Sequence, residues 1–384
     1  MTDSYIQFGQ IISSVLGARK LPDVQYDWMF LSGVFAKQNL IPILYSAISR
    51  TESIDCKPAS DLVGKLYYQN LRCLSVQVNQ QHEIEVIKNL FEKNGIYNLF
   101  LKGSIIQNRY PDSLLRTMGD IDFLYKPEQH SLLKKMLIEN GFDRFQEGRK
   151  NDIYRNNRNV ILEAHRQLVP SESSFFSWCE RVWERAVQSS DMKYSYEMKI
   201  EDEIIYSIIH MAIHFLEGGA GVRFLCDLYV YKKMECDWTY VRKELESLKL
   251  LVFFEKMSDL VDKWFSLEGI VDHSYDKIIE YIVNVGVFGR YENATALHTE
   301  KGGANYLKSN WFPSYKEMCS LYPWLDGKPI LLPFAWIKRG FVAVFVKKRS
   351  VKKSIQVYQS ADKEKSKRIR ELYEEYGLSM ALRE

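Results

Sequence analysis

Two aspartates, Asp120 and Asp122, open a short apolar run and constrain the fold of this chain more than any other feature. The run ends at Tyr125, and its bulky residues predict a buried strand. Because side chains alternate across a strand, residues two apart face the same side, and we expect both carboxylates there. Neighbouring carboxylates repel each other unless a cation lies between them, and Mg²⁺ prefers oxygen ligands of this kind. The alternative is a pair of solvated aspartates at a strand end, which the apolar neighbours disfavour.

A turn of small residues precedes the aspartates. The run Ile96–Leu101 predicts an earlier buried strand, and Gly103 and Ser104 follow it closely. These two residues permit a tight turn, and the free N–H groups at the start of the next helix can bind phosphate. Ser104 is equally suited to capping that helix, and both roles can hold together. Lys102, at the end of the strand, is a further candidate for contact with phosphate.

A third carboxylate, Glu163, lies in a later apolar run that also predicts a strand. Beside Asp122, it would complete a metal site or take the proton from an acceptor hydroxyl. A buried carboxylate needs a partner, so the alternative is a salt bridge to Arg155 or Arg166. The functional role is favoured. His165 shares the face of Glu163, and its position suits orientation of a ligand and simple packing equally well.

The ordered set of these motifs resembles the nucleotidyltransferase superfamily with the DNA-polymerase-β-like fold. That pattern is Gly-Ser or Gly-Gly, a helix, and then Asp-x-Asp on a strand. The chain is more closely similar to a bacterial family of uncharacterised nucleotidyltransferases, in Leu101-Lys102-Gly103, Tyr110-Pro111, Arg116 and Asp120-Ile121-Asp122. The resemblance implies a small polymerase-β-like sheet core, Mg²⁺ (or Mn²⁺) as cofactor and an NTP as substrate. The candidate catalytic and metal-binding residues are then Asp120, Asp122 and Glu163, and the candidate nucleotide-binding residues are Lys102, Gly103, Ser104 and Arg116.

Arg116 is the candidate cation closest to the aspartates in sequence. Its planar guanidinium can bind two phosphate oxygens at once. A surface salt bridge to Asp112 is the alternative, and the sequence alone favours neither strongly.

A later segment carries further candidates for a substrate cleft. His210 and His214 lie one helical turn apart, and Met211 stands where a zinc protease would carry glutamate. Arg223 and Asp227 are spaced for an ion pair within a helix. Core packing is favoured for this segment, with a wall of the substrate cleft, together with His165, as the alternative.

The composition indicates a folded protein with sizeable cores. The 384 residues, 46% hydrophobic and 14% aromatic, predict roughly two or three domains. A net charge of +3 is too small to indicate nucleic-acid binding, so a small-molecule acceptor is favoured over tRNA or protein. The cysteines lack metal-ligand spacing and the N-terminus lacks a signal segment. Because Lys338 and Arg339 interrupt the most apolar tract, no membrane span is expected, and the predicted location is cytoplasmic.

Helical patterns flank the predicted strands on both sides. We predict an α+β (α/β) fold, with a small nucleotidyltransferase sheet core between N- and C-terminal helical regions. The expected units are an N-terminal helical region (1–93), the nucleotidyltransferase core (94–168), a helical domain (169–300) and a C-terminal helical extension (301–384).

Two functions are consistent with these patterns. The first is Mg²⁺-dependent transfer of an NMP from an NTP to an acceptor hydroxyl, with release of pyrophosphate. The second is a catalytically inactive nucleotide-binding regulatory module, against which the intact Asp-x-Asp pattern argues. For the first function, Asp122→Ala is expected to abolish turnover and leave the fold intact, because it removes a ligand and no core volume.

Overall fold

A computed structural model describes residues 3–378, except 52, 54–55, 149, 270–272, 287–311, 316–317, 320–321, 326 and 346–362. The predicted boundary between residues 300 and 301 lies outside the described residues.

Among the described residues, four α-helices precede the sheet. They are α1 (Asp3–Leu16), α2 (Trp28–Lys37), α3 (Ile41–Arg50) and α4 (Ser60–Asn94). The last has 35 residues and ends at Gly95, whose φ of +67° continues the chain in the left-handed region that glycine tolerates. This end leads directly into the first strand, so α4 fixes where the sheet begins.

The middle of the chain forms a mixed sheet with short helices between its strands. In chain order the elements are β1 (Asn98–Phe100), α5 (Gly103–Ile106), β2 (Ile121–Tyr125), α6 (His130–Glu139), β3 (Phe142–Glu147), β4 (Asn151–Asn156), β5 (Ile161–His165), α7 (Phe176–Cys179), α8 (Val182–Arg185), β6 (Val187–Gln188) and β7 (Ser195–Glu197). The strand order is β3-β4-β5-β2-β1-β7-β6. Strands β2 and β5 are parallel at the centre, while β1 pairs antiparallel to β2 and parallel to β7.

Helices follow the sheet to the end of the described chain. They are α9 (Ile200–Leu216), α10 (Val222–Tyr231), α11 (Trp238–Ser247), α12 (Leu251–Trp264), α13 (Asp276–Val285), α14 (Leu332–Phe345) and α15 (Lys363–Glu375). The α+β fold with helical flanks is therefore confirmed.

Two large hydrophobic cores hold the helices and the sheet together. In the first, α4 packs on the sheet, with Phe91 and Phe123 at a ring-centroid distance of 5.0 Å. The second joins helices from both ends of the chain, and includes Phe8 of α1 and Trp264 of α12. The carboxylates of β2 and β5 lie where the sheet meets the helices α9 and α10.

Candidate active site

The central strands bring the three predicted carboxylates together. Asp122 of β2 is paired in register with Glu163 of β5. Because neighbouring strands lie about 4.8 Å apart, paired residues on one face are adjacent. Asp120 immediately precedes β2 and lines the same cavity as Asp122 and Glu163. The metal-binding role of this set stays a prediction.

Two side chains hold Asp122. Its Oδ1 accepts a hydrogen bond from Lys102 Nζ at 2.7 Å and lies 2.8 Å from His165 Nε2. Burial and the nearby Lys102 lower the pKa of His165 to about 4, so the imidazole is neutral and donates from Nε2. Its Nδ1 is buried without a hydrogen-bond partner among the described residues. His165 therefore orients Asp122, which is one of the two roles that its sequence position allows.

The charges of the carboxylates depend on one another. Burial and the proximity of Asp122 raise the pKa of Glu163 to about 7, and the same causes raise the pKa of Asp120. Burial would also raise the pKa of Asp122, but Lys102 and His165 hold it well below its usual range. The cluster thus carries more carboxylates than Lys102 alone can neutralise, which favours binding of a further cation.

The donor set fits a divalent metal. Ligand atoms of Asp122, Glu163 and His165 all lie within 4.8 Å of one another. Since His165 Nε2 already donates to Asp122, the carboxylates are the better ligand candidates, and Asp120 adds a third. Oxygen donors crowded in this way suit Mg²⁺ or Mn²⁺.

The arginine partners considered for Glu163 are bound elsewhere. Asn151 Nδ2 donates a hydrogen bond to Glu163 Oε1. Arg166 pairs with Asp152 at 2.7 Å, and Arg155 lies over an aromatic ring on the neighbouring strand. In the part of the chain that the structure describes, Asn151 is thus a hydrogen-bond partner of Glu163, while Arg166 pairs with Asp152.

The turn after β1 has a strained backbone. Lys102 has a φ of +50°, in the left-handed region that costs a non-glycine residue energy. At Gly103, a Cβ would lie 2.8 Å from Met118 Cγ, so only glycine lets the turn pack against the segment before the aspartates. Ser104 does not line the cavity, and its buried Oγ has no hydrogen-bond partner in the described ranges. Lys102 and Gly103 do line it.

The cavity between the sheet and the helices has a volume of about 210 Å³. His210 and His214 of α9 line it, with their Nε2 atoms 3.0 Å apart. Burial lowers the pKa of both rings, that of His214 to about 4, so the pair is neutral. The sequence favoured core packing for this segment, and the structure instead places both histidines in the cavity wall.

Arg116 connects the sheet region to α10. Its Nε and one terminal nitrogen donate to the two oxygens of Asp227 at 2.7 and 2.8 Å. The hydroxyl of Tyr110 donates to the same carboxylate at 2.7 Å. The predicted alternatives, in which Arg116 pairs with Asp112 or Arg223 pairs with Asp227, are therefore wrong. Both arginines nevertheless line the cavity.

Some lining residues were not singled out from the sequence. Those on the helices after the sheet are Glu203, Tyr206, Ser207, Phe224 and Tyr231. The available signal is helical spacing: the residues of α9 that line the cavity lie three, four, seven and eleven positions after Glu203, which places them on one face of the helix. Periodicity alone assigns such a face to the core, because it does not show that the opposing surface is a cavity.

A mixed sheet with a glycine turn after its first strand and facing carboxylates on its central strands has the features that the sequence pattern led us to expect of a nucleotidyltransferase core. The comparison with protein families agrees with this class. Residues 25–266 match the family described as "Uncharacterised nucleotidyltransferase", and the chain belongs to that family. The matched range contains the sheet and every residue of the candidate site. No curated protein matches the sequence.

The described helices do not meet the requirements of length and apolar character for crossing a membrane. Each is too short or too polar to do so.

Proposed function

We propose that the protein transfers an NMP from an NTP to an acceptor hydroxyl, in a metal-dependent reaction that releases pyrophosphate. The observation that carries this proposal is the facing position of Asp122 and Glu163 on parallel strands, beside Asp120 and at a cavity. Membership of a nucleotidyltransferase family supports it.

In this proposal Asp120, Asp122 and Glu163 hold Mg²⁺ (or Mn²⁺). When bound, the metal neutralises charge on the triphosphate and lowers the pKa of the attacking hydroxyl. Lys102 and the backbone at Gly103 contact the phosphates, since both line the cavity.

The other two predicted nucleotide contacts take supporting roles in this scheme. Arg116 is held by Asp227, and Ser104 lies outside the cavity lining. In this scheme Ser104 helps to position the turn, and Arg116, through Asp227, helps to position helix α10 beside the nucleotide.

The reaction exchanges one phosphorus–oxygen bond for another. The acceptor oxygen bonds to the α-phosphorus, while the bond to pyrophosphate breaks and its electrons leave with the pyrophosphate. Glu163, with its pKa of about 7, is suited to take the hydroxyl proton or to act as a third ligand. The small net charge of +3 favours a small-molecule acceptor, such as a sugar or an antibiotic, over tRNA or protein. The cytoplasmic location stays a prediction.

The test is incubation with each labelled NTP, Mg²⁺ and a cell extract, followed by identification of the labelled product. We expect Glu163→Gln to lower the rate of labelling by about 100-fold or more, because the third carboxylate is lost. Asp143→Asn, which removes an exposed carboxylate on β3, is the matched control and should keep full activity. Full activity in Glu163→Gln would contradict the proposal.

One observation favours the inactive nucleotide-binding regulatory module as a second candidate. Lys102 already neutralises Asp122 at 2.7 Å, as a protein without a catalytic metal would require. This function predicts that NTPs raise the melting temperature, while no pyrophosphate is released with any of the four NTPs.

A further inference from the structure

Three cationic side chains line the cavity in the part of the chain that the structure describes. Lys102 pairs with Asp122, and Arg116 pairs with Asp227, both at 2.7 Å. The third, Arg223, forms no salt bridge among the described residues. Its guanidinium donates to a neutral acceptor, the carbonyl oxygen of Thr117, at 3.3 Å.

The carboxylate within reach of Arg223 along its own helix is fully engaged. Asp227 lies one turn further along α10, but its Oδ1 accepts from Arg116 and Tyr110, and its Oδ2 accepts from Arg116. Burial and the charge of Arg116 lower the pKa of Arg223 to about 10, and the weaker opposing effects of Asp227 and Asp120 do not offset them. A guanidinium in such surroundings is unfavourable until an anion enters the cavity.

The position of Arg223 in its helix adds to the positive electrostatic potential that its guanidinium creates in the cavity. Helix α10 begins at Val222, so Arg223 lies in the first turn, where the helix dipole favours anions. The candidate metal ligands Asp120, Asp122 and Glu163 lie on the sheet side of the same cavity, while Glu203 and Asp227 on the helix side are paired with Arg109 and Arg116. The cavity therefore has a negative side on the sheet and a positive side on α10.

We propose that Arg223 binds a phosphate group of the nucleotide, so that α10 supplies an anion-binding side opposite the carboxylates. A metal-bound triphosphate has the matching distribution of charge, with a cation near the carboxylates and phosphate oxygens beyond it. This inference rests on the proposed function, because the ligand is its NTP. It adds a phosphate contact that lies more than a hundred residues beyond the glycine turn.

The test compares binding of the NTP, with Mg²⁺, and of the corresponding nucleoside by calorimetry. We expect Arg223→Gln to weaken NTP binding by about 10- to 100-fold, because a charged hydrogen bond to phosphate is lost. Binding of the nucleoside should not change. Arg242→Gln removes the same charge from an exposed position on α11 and should bind the NTP as the wild type does.

Arg223→Lys keeps the charge and the fold but cannot bind bidentately, so its affinity should fall by only about 3- to 10-fold. If Arg223→Gln does not fold, the NTP affinity of Arg223→Lys tests the proposal instead. Equal NTP affinity in the wild type and the Arg223 variants would overturn the inference and leave the proposed function standing. An equal loss of NTP and nucleoside binding would also overturn it, since Arg223 would then act on the fold. A wild-type protein that binds no NTP would instead refute the proposed function.

Discussion

Asp122 Oδ1 accepts hydrogen bonds from both Lys102 and His165, so this one oxygen balances a buried ammonium. The side chains of Lys102 and Asp122 are only 16% and 6% exposed. Removing Asp122 takes away the hydrogen-bonded partner of this ammonium and leaves only the more distant carboxylates of Asp120 and Glu163 to offset its charge. The sequence-based expectation that Asp122→Ala leaves the fold intact rested on the small volume of the side chain. The structure adds that Asp122 is the hydrogen-bonded partner of Lys102, so we now expect a loss of stability as well.

We predict that Asp122→Ala lowers the free energy of unfolding by about 3–5 kcal/mol. The double variant Asp122→Ala/Lys102→Met should recover most of this loss, because it removes the unpaired charge. Urea unfolding of the wild type and both variants measures the difference. Equal instability of the single and double variants would show that the unpaired ammonium is not the cause.

The sequence identifies the acidic residues of the site but not their partners. Asp120, Asp122 and Glu163 can be chosen from residue type and from the apolar runs around them. The sequence allows two roles for His165 and does not select its contact with Asp122. Which residues face each other on separate strands depends on the register of those strands, which the sequence does not show. The pair of Arg116 and Asp227 could not be predicted, because 111 residues separate its members.

Helix α10 is held against the sheet region by that pair. Arg116 and Asp227 have side-chain exposures of only 8% and 6%, and their two hydrogen bonds fix the orientation of the helix. We predict that Asp227→Ala lowers the free energy of unfolding by about 3–5 kcal/mol, because the guanidinium stays buried.

The control for this prediction is an exposed pair on neighbouring helices. Glu255→Ala breaks its contact with Arg242, and both side chains there are about half exposed. Its cost should be about 0–1 kcal/mol. Similar losses in Asp227→Ala and Glu255→Ala, measured by chemical denaturation, would refute the structural role of the buried pair.

The strands differ in how well the sequence predicts them. β2 and β5 stand out because bulky residues follow one another between polar segments. β7 has only three residues, Ser195–Glu197, and no periodicity can be recognised in so short a stretch. It joins the sheet through parallel pairing with β1 and through Asn98, whose Nδ2 donates to Ser195 Oγ at 3.1 Å. Such a short strand forms because it pairs with β1 in the folded protein, and not because of a pattern in its own sequence.

On the scale of the whole molecule, the helices before the sheet share one core with the helices after it. Phe8 of α1 stacks on Trp264 of α12 at 5.7 Å, and Trp264 Nε1 donates to the carbonyl oxygen of Tyr5 at 2.8 Å. The amide of Gln38 donates to the carbonyl oxygen of Val283 at 2.9 Å and accepts from the N–H of Val222. The N-terminal helices thus support the helices that form one side of the cavity.

We predict opposite effects for two glycine-to-alanine substitutions. At Gly9, a Cβ would lie 2.1 Å from the carbonyl oxygen of Trp264, so Gly9→Ala should lower the free energy of unfolding by about 1–3 kcal/mol. At Gly33, within α2, a Cβ meets nothing within 4 Å. Gly33→Ala should raise the free energy of unfolding by about 0.5–1 kcal/mol through helix propensity. Thermal unfolding compares both with the wild type, and a stabilised Gly9→Ala would contradict the close approach of α1 and α12.

The separation between Arg116 and Asp227 also sets an order of events during synthesis. A ribosome adds about 5–20 residues per second, so the 111 residues between them take about 6–20 seconds to emerge. Lys102 is present throughout that interval, and all three carboxylates are present once Glu163 has been added, but helix α10 (Val222–Tyr231) has not yet been made. At the same rate the 59 positions from Glu163 to Val222 take about 3–12 seconds, so a nascent chain carries the acidic side of the cavity for several seconds before the opposite side is made.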